Sequence, residues 1–158
     1  MDDVTGAPDL DFSTFMAEAE PRVRRALVSL AGPEAASDVT AEAFEYAWEH
    51  WGRIAPMANP AGYVYRVARS RLGRRRRRWV PGDVPGIDRL PDVEPALASL
   101  LAALPERQRV CAFLVHGCQW HYGEVGELLG LSASSVRTHC DRALVALRRG
   151  LKVDHERT

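Results

Sequence analysis

The sequence predicts an all-α protein made of two small helical domains. Apolar residues recur at intervals of three and four along most of the chain, which is the period of a helix with one buried face. No run of alternating β-branched residues is long enough to predict a strand. Residues 79–95 are rich in proline, glycine and acidic residues and have no periodicity, so they are predicted to be a linker. The predicted domains are therefore residues 10–78 and 96–151.

The first domain is predicted to contain three helices. The first helix spans about residues 12–30, and Pro21 either divides it or kinks it. A Gly-Pro pair then ends the pattern, and a second helix is predicted from about 36 to 51. After a connector, a third helix begins near Ala61 and continues into a run of arginines.

The second domain is predicted to end in a helix-turn-helix. A short amphipathic helix, residues 122–129, is followed by Gly130, which suits the left-handed position at a helix C-terminus. Ser132 then suits the N-cap of a new helix, and Leu131 with Val136 has the spacing of a hydrophobic staple. Two helices joined by such a turn are typical of DNA-binding domains, with a plain helical hairpin as the alternative.

Charge is unevenly distributed, although the chain has 21 basic and 21 acidic residues and is neutral overall. Residues 1–49 carry a net charge of −8, whereas residues 53–78 contain nine arginines and no acid. Such arginine density neutralises several phosphates, and the neighbouring Tyr63 and Tyr65 are suited to stack on unpaired bases. The run therefore predicts a nucleic-acid surface, although a solvated helix end would also fit it.

A helical projection divides these arginines between two sides of the third helix. Arg66 and Arg69 are predicted on one side, and Arg71, Arg74 and Arg75 on another.

Several classes of protein are disfavoured. No stretch of 18 apolar residues predicts a membrane span, and the acidic N-terminus does not resemble a signal peptide, so we expect a cytoplasmic protein without membrane insertion. No P-loop, GxSxG, HExxH or paired-carboxylate pattern predicts an enzyme, so no catalytic residue and no cofactor is predicted.

A metal or redox site is the alternative raised by the cysteines and histidines. Cys111, His116, Cys118 and His121 are ligand types, but their spacing matches no standard zinc pattern. Cys111 occupies an apolar helical position, where a free cysteine is commonly a small buried hydrophobe. We therefore predict no metal site.

Four segments, in order, carry a resemblance to a known family. DVTAEAFEYAW from Asp38 and PAGYVYRVARSRLGRRRRR from Pro60 are similar to regions 2.2 and 2.3–2.4 of the extracytoplasmic-function group of sigma-70-type sigma factors. LPERQR from Leu104 and YGEVGELLGLSASSVRTHCDRALVALRR from Tyr122 are similar to the start and the helix-turn-helix of region 4. The resemblance covers residues from about 11 to 151.

The resemblance implies an RNA polymerase sigma factor, with a region 2 helical bundle and a region 4 helix-turn-helix. Such a protein binds core polymerase through the β′ clamp helices and the β flap. It directs promoter-specific initiation by recognising the −35 and −10 elements and capturing the melted −10 strand. Promoter DNA is thus the second implied partner and an anti-sigma factor a candidate third. The main alternative is a helix-turn-helix regulator that binds DNA without polymerase.

Three sets of site residues follow from matching the motifs residue by residue. The core-polymerase set is Asp38, Glu42, Glu45 and Trp48. The −10 set is Tyr63, Tyr65, Arg66, Arg69, Ser70, Arg74 and Arg75. The −35 set is Ser134, Ser135, Arg137, Thr138, His139 and Arg142. The chain departs from the family pattern at Ala41, Ser70, His121, His139 and Asp141. The acidic first set would face basic clamp helices, since opposite charges favour correct orientation and fast encounter.

Overall fold

The computed structural model describes residues 7–75 and 95–155, which consist of helices joined by short turns, without a strand. The predicted all-α class is confirmed. The helices are α1 (Ala7–Glu49), α2 (Trp51–Ile54), α3 (Pro60–Arg75), α4 (Pro95–Ala103), α5 (Glu106–Ala112), α6 (Tyr122–Leu129) and α7 (Ala133–His155), and a π-helical segment, Phe113–Gly117, follows α5. The predicted linker, apart from its last residue, and the last three arginines of the run lie outside the described residues.

The first helix is broken at Gly32 rather than at Pro21. Gly32 has φ 79° and ψ 170°, and it is the residue inside α1 with non-helical angles. Positive φ favours glycine because it has no Cβ. Pro33 follows at the start of the second arm of α1, where its fixed φ and missing N–H cost little. The Gly-Pro pair therefore joins two helical arms, and Pro21 is accommodated within the first of them.

The connector before the third helix contains a short helix, α2, that the sequence pattern did not predict. α3 then begins at Pro60, a residue suited to the first helical position. The Asn59 side-chain oxygen accepts a hydrogen bond of 2.8 Å from the Gly62 N–H. This is N-cap geometry, so proline and asparagine together fix where the arginine-bearing helix starts.

The core of the first half lies between α1 and α3. Leu27, Phe44 and Ile54 are fully buried, and Val64 meets them from α3. Burying one such side chain stabilises the fold by about 1.5–3 kcal/mol. In the second half α5, α6 and α7 share the large cluster. A smaller cluster contains Leu104, Ala112, Ala143 and Leu147, with the leucines of α4 packed against it.

The two halves pack against each other. α1 contacts α5, and α3 contacts α6. Buried residues from both halves form one continuous apolar cluster. The division into two domains joined by a linker stays a prediction, because residues 79–94 are outside the described ranges.

Within the described ranges, no helix has the length and apolarity needed to cross a membrane.

Candidate nucleic-acid interface

Helices α6 and α7 form the predicted helix-turn-helix. Gly130 adopts the left-handed conformation, with φ 68° and ψ 37°, and its N–H donates to the Gly126 carbonyl. The Leu131 N–H donates to the same carbonyl at 2.9 Å. Ser132 then accepts a 3.1 Å bond from the Ser135 N–H on its Oγ, which is the predicted N-cap of α7. The turn is thus built from local hydrogen bonds that the sequence specifies.

The start of α6 uses one half of a capping box. His121 precedes the helix in an extended conformation, with φ −74° and ψ 150°. The Glu124 carboxylate accepts a 2.8 Å hydrogen bond from the His121 N–H. Glutamate at this position satisfies one of the unpaired N–H groups at the helix start and carries charge that suits the helix dipole.

Substitution of Gly126 is expected to destabilise the helix-turn-helix. A Cβ added at Gly126 would lie 2.5 Å from the Leu131 carbonyl oxygen, so the turn must shift. We expect G126A to lower the free energy of unfolding by about 1–3 kcal/mol, the usual cost of overpacking. Circular dichroism would record a melting temperature lower by about 2–4 °C per kcal/mol.

Gly123 provides the matched control in the same helix. A Cβ added there has nothing within 4 Å. We expect G123A to be neutral or to stabilise by up to about 1 kcal/mol, because alanine is the better helix former. Equal melting temperatures for G126A and G123A would contradict the tight turn.

The first turns of α7 present most of the predicted −35 residues to solvent. Ser134, Arg137, Thr138 and Arg142 are exposed, and Ser135 is half-buried. The Thr138 hydroxyl donates a 3.0 Å bond to the Ser134 carbonyl. The two guanidinium groups are therefore the strongest exposed donors of this set, with the fork geometry that suits guanine or phosphate.

His139 differs from the rest of the −35 set. It is half-buried, and its ring Nδ1 is buried without a hydrogen-bond partner among the described residues. The ring is thus turned partly into the domain. Its role toward DNA stays a prediction.

Helix α3 carries a shallow groove of basic and aromatic side chains. Its lining residues are Tyr46 from α1 and Tyr63, Arg66, Val67, Ser70, Arg71 and Arg74 from α3. The Arg66 guanidinium lies 5.9 Å from the Tyr63 ring centroid, and the Arg71 guanidinium lies 5.7 Å from that of Tyr46. Flat cationic groups over flat rings form a surface suited to bases and phosphates.

The predicted division of the arginines between two sides of α3 was wrong. Arg66 lines the same groove as Arg71 and Arg74. Arg69 instead faces the second half of the chain. Arg75 is the last residue of α3.

Residues of α1 and α2 support this groove, which the sequence did not predict. A hydrogen bond with the Tyr46 side chain, together with burial, raises the pKa of Tyr63, so the phenol stays neutral. Tyr46 in turn stacks on His50, with ring centroids 4.2 Å apart, and accepts a 3.5 Å bond from Arg53. Tyr46 was missed because it lies inside the motif assigned to polymerase.

Two predicted −10 residues, Tyr65 and Arg69, contact the second half of the chain. Tyr65 is only 5% exposed, and burial raises its pKa above the usual tyrosine value. The Arg69 guanidinium is ion-paired with Glu106 of α5, and this hydrogen bond raises the arginine pKa. The Tyr65 ring is thus inaccessible to a DNA strand in this arrangement, whereas the Arg69 side chain stays 53% exposed.

An acidic and aromatic face lies on the second arm of α1. Asp38 and Glu45 are exposed, and Trp48 is 47% exposed although it packs edge-on against Phe12 at 5.0 Å. Spacings of three and four place these residues on one side of the helix. An exposed indole held by a buried ring is typical of a protein-binding surface.

Glu42 joins this acidic face to the groove on α3. Its carboxylate lies 3.5 Å from the Arg71 guanidinium, and Arg71 also donates a 2.9 Å bond to the Glu42 carbonyl. The acidic face and the groove on α3 therefore share a boundary. A change at Glu42 would disturb both.

Two of the three cysteines, Cys111 and Cys140, are buried free thiols. Burial raises the pKa of the Cys111 thiol to about 12 and that of Cys140 to about 11, so both remain protonated at neutral pH. Across the described part of the chain, no three histidine, cysteine, aspartate or glutamate side chains are arranged to hold a metal ion.

The second half of the chain matches a known protein family. Residues 95–147 match the family described as Sigma-70, region 4. The second half of the chain therefore contains a sigma-70 region 4 domain.

The fold extends the similarity to the first half. The structure of the sigma factor RpoE in complex with the anti-sigma factor NepR from Bartonella quintana is similar, with a TM-score of 0.56 and 20% sequence identity. The match covers 91% of this chain and 98% of that chain, so the similarity of fold includes both halves. A comparison with curated proteins found no match.

Proposed function

We propose that this chain is a sigma factor of the sigma-70 family, which binds core RNA polymerase, recognises the −35 and −10 elements and captures the melted −10 strand. One observation carries the proposal: a region 4 helix-turn-helix shares its chain with a basic and aromatic groove on α3 and an acidic, tryptophan-bearing face on α1. A regulator that binds only duplex DNA has no need for the second and third features.

The −35 element is assigned to the first turns of α7. The N-terminal part of the second helix of a helix-turn-helix enters the major groove, where arginine bonds two acceptors of guanine. Arg137 and Arg142 are exposed in this part of α7, and Ser134 and Thr138 lie beside them. Serine and threonine hydroxyls at this position suit phosphate or base edges.

The −10 strand is assigned to the groove on α3. Unpaired bases stack on aromatic rings with little sequence preference, while arginines neutralise the phosphates. Tyr63, Arg66, Ser70 and Arg74 supply both kinds of contact along one surface. Selection of particular bases is assigned to Ser70, which lies at the centre of this row.

Removal of the Tyr63 ring is expected to weaken binding of single-stranded DNA. Stacking is worth about 1–3 kcal/mol per base, so Y63A should lose about 5- to 100-fold in affinity for a labelled single strand, measured by fluorescence anisotropy. Y63F keeps the ring and is the control that should retain most of the affinity. Equal losses for Y63A and Y63F would show that the hydroxyl, and not stacking, is used.

The polymerase contact is assigned to the acidic face, which would meet the β′ clamp helices, with region 4 on the β flap. This face has two exposed carboxylates, Asp38 and Glu45, which would orient the approach of polymerase. It also has the exposed Trp48 ring, which would stabilise the bound complex. A protein that binds promoters on chromosomal DNA would be located in the cytoplasm. Since the similar RpoE chain is seen with an anti-sigma factor, a protein of that class is a candidate partner here.

A core-binding experiment separates this function from that of a conventional regulator. The chain is mixed with core RNA polymerase of its source bacterium, without DNA, and passed through a size-exclusion column. A sigma factor elutes with core polymerase. A protein that elutes apart from core but binds duplex DNA would be a regulator, and the proposal would fail.

A further inference from the structure

Asp141 is an acidic residue on the exposed face of α7, beside residues that are assigned to the −35 element. At about 100° per residue, its Cα lies about 20° from that of Ser134 and about 40° from that of Arg137 around the helix axis. It lies about 160° from Ala143, which is completely buried. Asp141 is exposed, as Arg137 and Thr138 are. Its carboxylate therefore belongs to the middle of the face that is proposed to enter the major groove.

Four residues on this face have the spacing of a base-reading helix. Ser134, Arg137, Thr138 and Asp141 occupy positions i, i+3, i+4 and i+7. The base-contacting residues of homeodomain recognition helices follow the same spacing along one side of a helix in the major groove. Asp141 lies about 6 Å further along the axis than Arg137. Since base pairs are stacked about 3.4 Å apart, the two side chains would face base pairs one or two steps apart.

The Asp141 carboxylate has no partner within the described part of the chain. Neither a hydrogen bond nor an ion pair joins it to a described residue, although Arg137 lies one turn earlier on the same side. The Ser134 and Thr138 hydroxyls, by contrast, are already hydrogen-bonded within the start of α7. The charged groups of this face are thus the ones left for contact with DNA.

A carboxylate on a DNA-binding face is unfavourable unless it contacts a base that offers a hydrogen-bond donor. The phosphates repel it, and an ionised carboxylate can only accept hydrogen bonds. In the major groove cytosine presents only its amino group, whereas guanine presents two acceptors and thymine one. Adenine places an acceptor next to its amino group. Cytosine is therefore the base that suits an exposed carboxylate on this helix.

We propose that Asp141 is a specificity-determining residue of α7, which selects a cytosine one or two base pairs from the base that Arg137 contacts. The inference deepens the proposed function, since it rests on α7 as the helix that reads the −35 element. The carboxylate accepts a hydrogen bond from the cytosine amino group. At sites without that cytosine, its charge is left facing acceptors and phosphates, which lowers affinity for them.

Asparagine in place of Asp141 gives an altered-specificity test. D141N keeps the size of the side chain and adds a donor, and an amide bonds both N6 and N7 of adenine. We expect selection from a random duplex library to change from cytosine to adenine at one position, with the other selected positions unchanged. The ratio of affinities for the cytosine site and the adenine site should fall by about 5- to 100-fold. D141A should lose the preference at that position without gaining another.

Glu127 supplies the matched control. It is an exposed carboxylate on α6, so E127Q removes the same charge from the same half of the chain and leaves α7 unchanged. E127Q should select the wild-type sequence. Circular dichroism checks that the helices of all three variants are intact.

Selection is carried out with the reconstituted holoenzyme and, separately, with the full chain alone, and affinities are measured by fluorescence anisotropy at one fixed salt concentration. A chain that selects a sequence alone but does not bind core polymerase would contradict the proposed function. The variants would still decide the role of Asp141 on that sequence, so the two proposals can fail separately.

Three results would overturn the inference. One is the same selected sequence for the wild type, D141N and D141A. Another is a change confined to the position that Arg137 contacts, which would make Asp141 a support for that arginine and not a base contact. The third is the absence of any selected sequence in both forms of the protein, which would also overturn the proposed function.

Discussion

Alanine in place of both Arg137 and Arg142 is expected to weaken binding to a −35 element by at least about 30-fold. Each arginine that contacts a base edge is worth about 1–3 kcal/mol, and both side chains are exposed on the first turns of α7. The measurement is binding of the reconstituted holoenzyme to a promoter that the wild type selects from random DNA. Core binding should be unchanged, since neither residue lies on the acidic face of α1.

Arg148 and Arg149 supply the control for that prediction. They are exposed near the far end of the same helix, so the double alanine variant has the same change of charge. It should lose only the non-specific part of the affinity. If the two double variants lost the same factor, the N-terminal part of α7 would not be the part that contacts the −35 element.

Alanine in place of Trp48 is expected to weaken core binding by at least about 30-fold. Exposed tryptophans at the centre of an interface commonly contribute 2 kcal/mol or more, and Trp48 is held in place by Phe12. Combining D38A with E45A should mainly slow association and reduce its salt dependence, because exposed charges guide encounter more than they add affinity. Surface plasmon resonance with immobilised core separates the two effects.

Matched controls for core binding lie elsewhere on the first half. Met57 is an exposed apolar residue of the connector, and Glu18 is an exposed carboxylate on the first arm of α1. M57A and E18A should bind core as the wild type does. Glu42 is unsuitable for this test, because its link to Arg71 would alter the groove as well. A Trp48 variant with unchanged affinity would place the polymerase contact on another surface.

The elements predicted well from sequence are those fixed by local chemistry. Gly130 and Ser132 determine the helix-turn-helix through hydrogen bonds that span a few residues, and Pro60 determines the start of α3. The break at Gly32 was located, but Pro21 was given too much weight. A helix can accommodate an interior proline when packing holds it on both sides, and Val23, two residues further on, is completely buried.

The features that could not be predicted from the sequence depend on contacts between residues far apart in the chain. Arg69 meets Glu106 and Arg22 meets Glu124, residues 37 and 102 positions apart. Periodicity places Tyr65 next to the buried stripe of α3 but contains no information on what covers it. The exposed role predicted for Tyr65 and its burial by the second half are therefore both consistent with the same local pattern. Only the long-range packing distinguishes them.

Run-off transcription tests the central claim most directly. Core polymerase and this chain are combined on fragments of the source genome, and the RNA is sized. A sigma factor should yield transcripts of defined length from a subset of fragments. These transcripts should be absent with core polymerase alone, and they should be lost when both Arg137 and Arg142 are replaced by alanine. Core that is active on its own and forms no defined transcript with the folded chain on any fragment would contradict a sigma factor function.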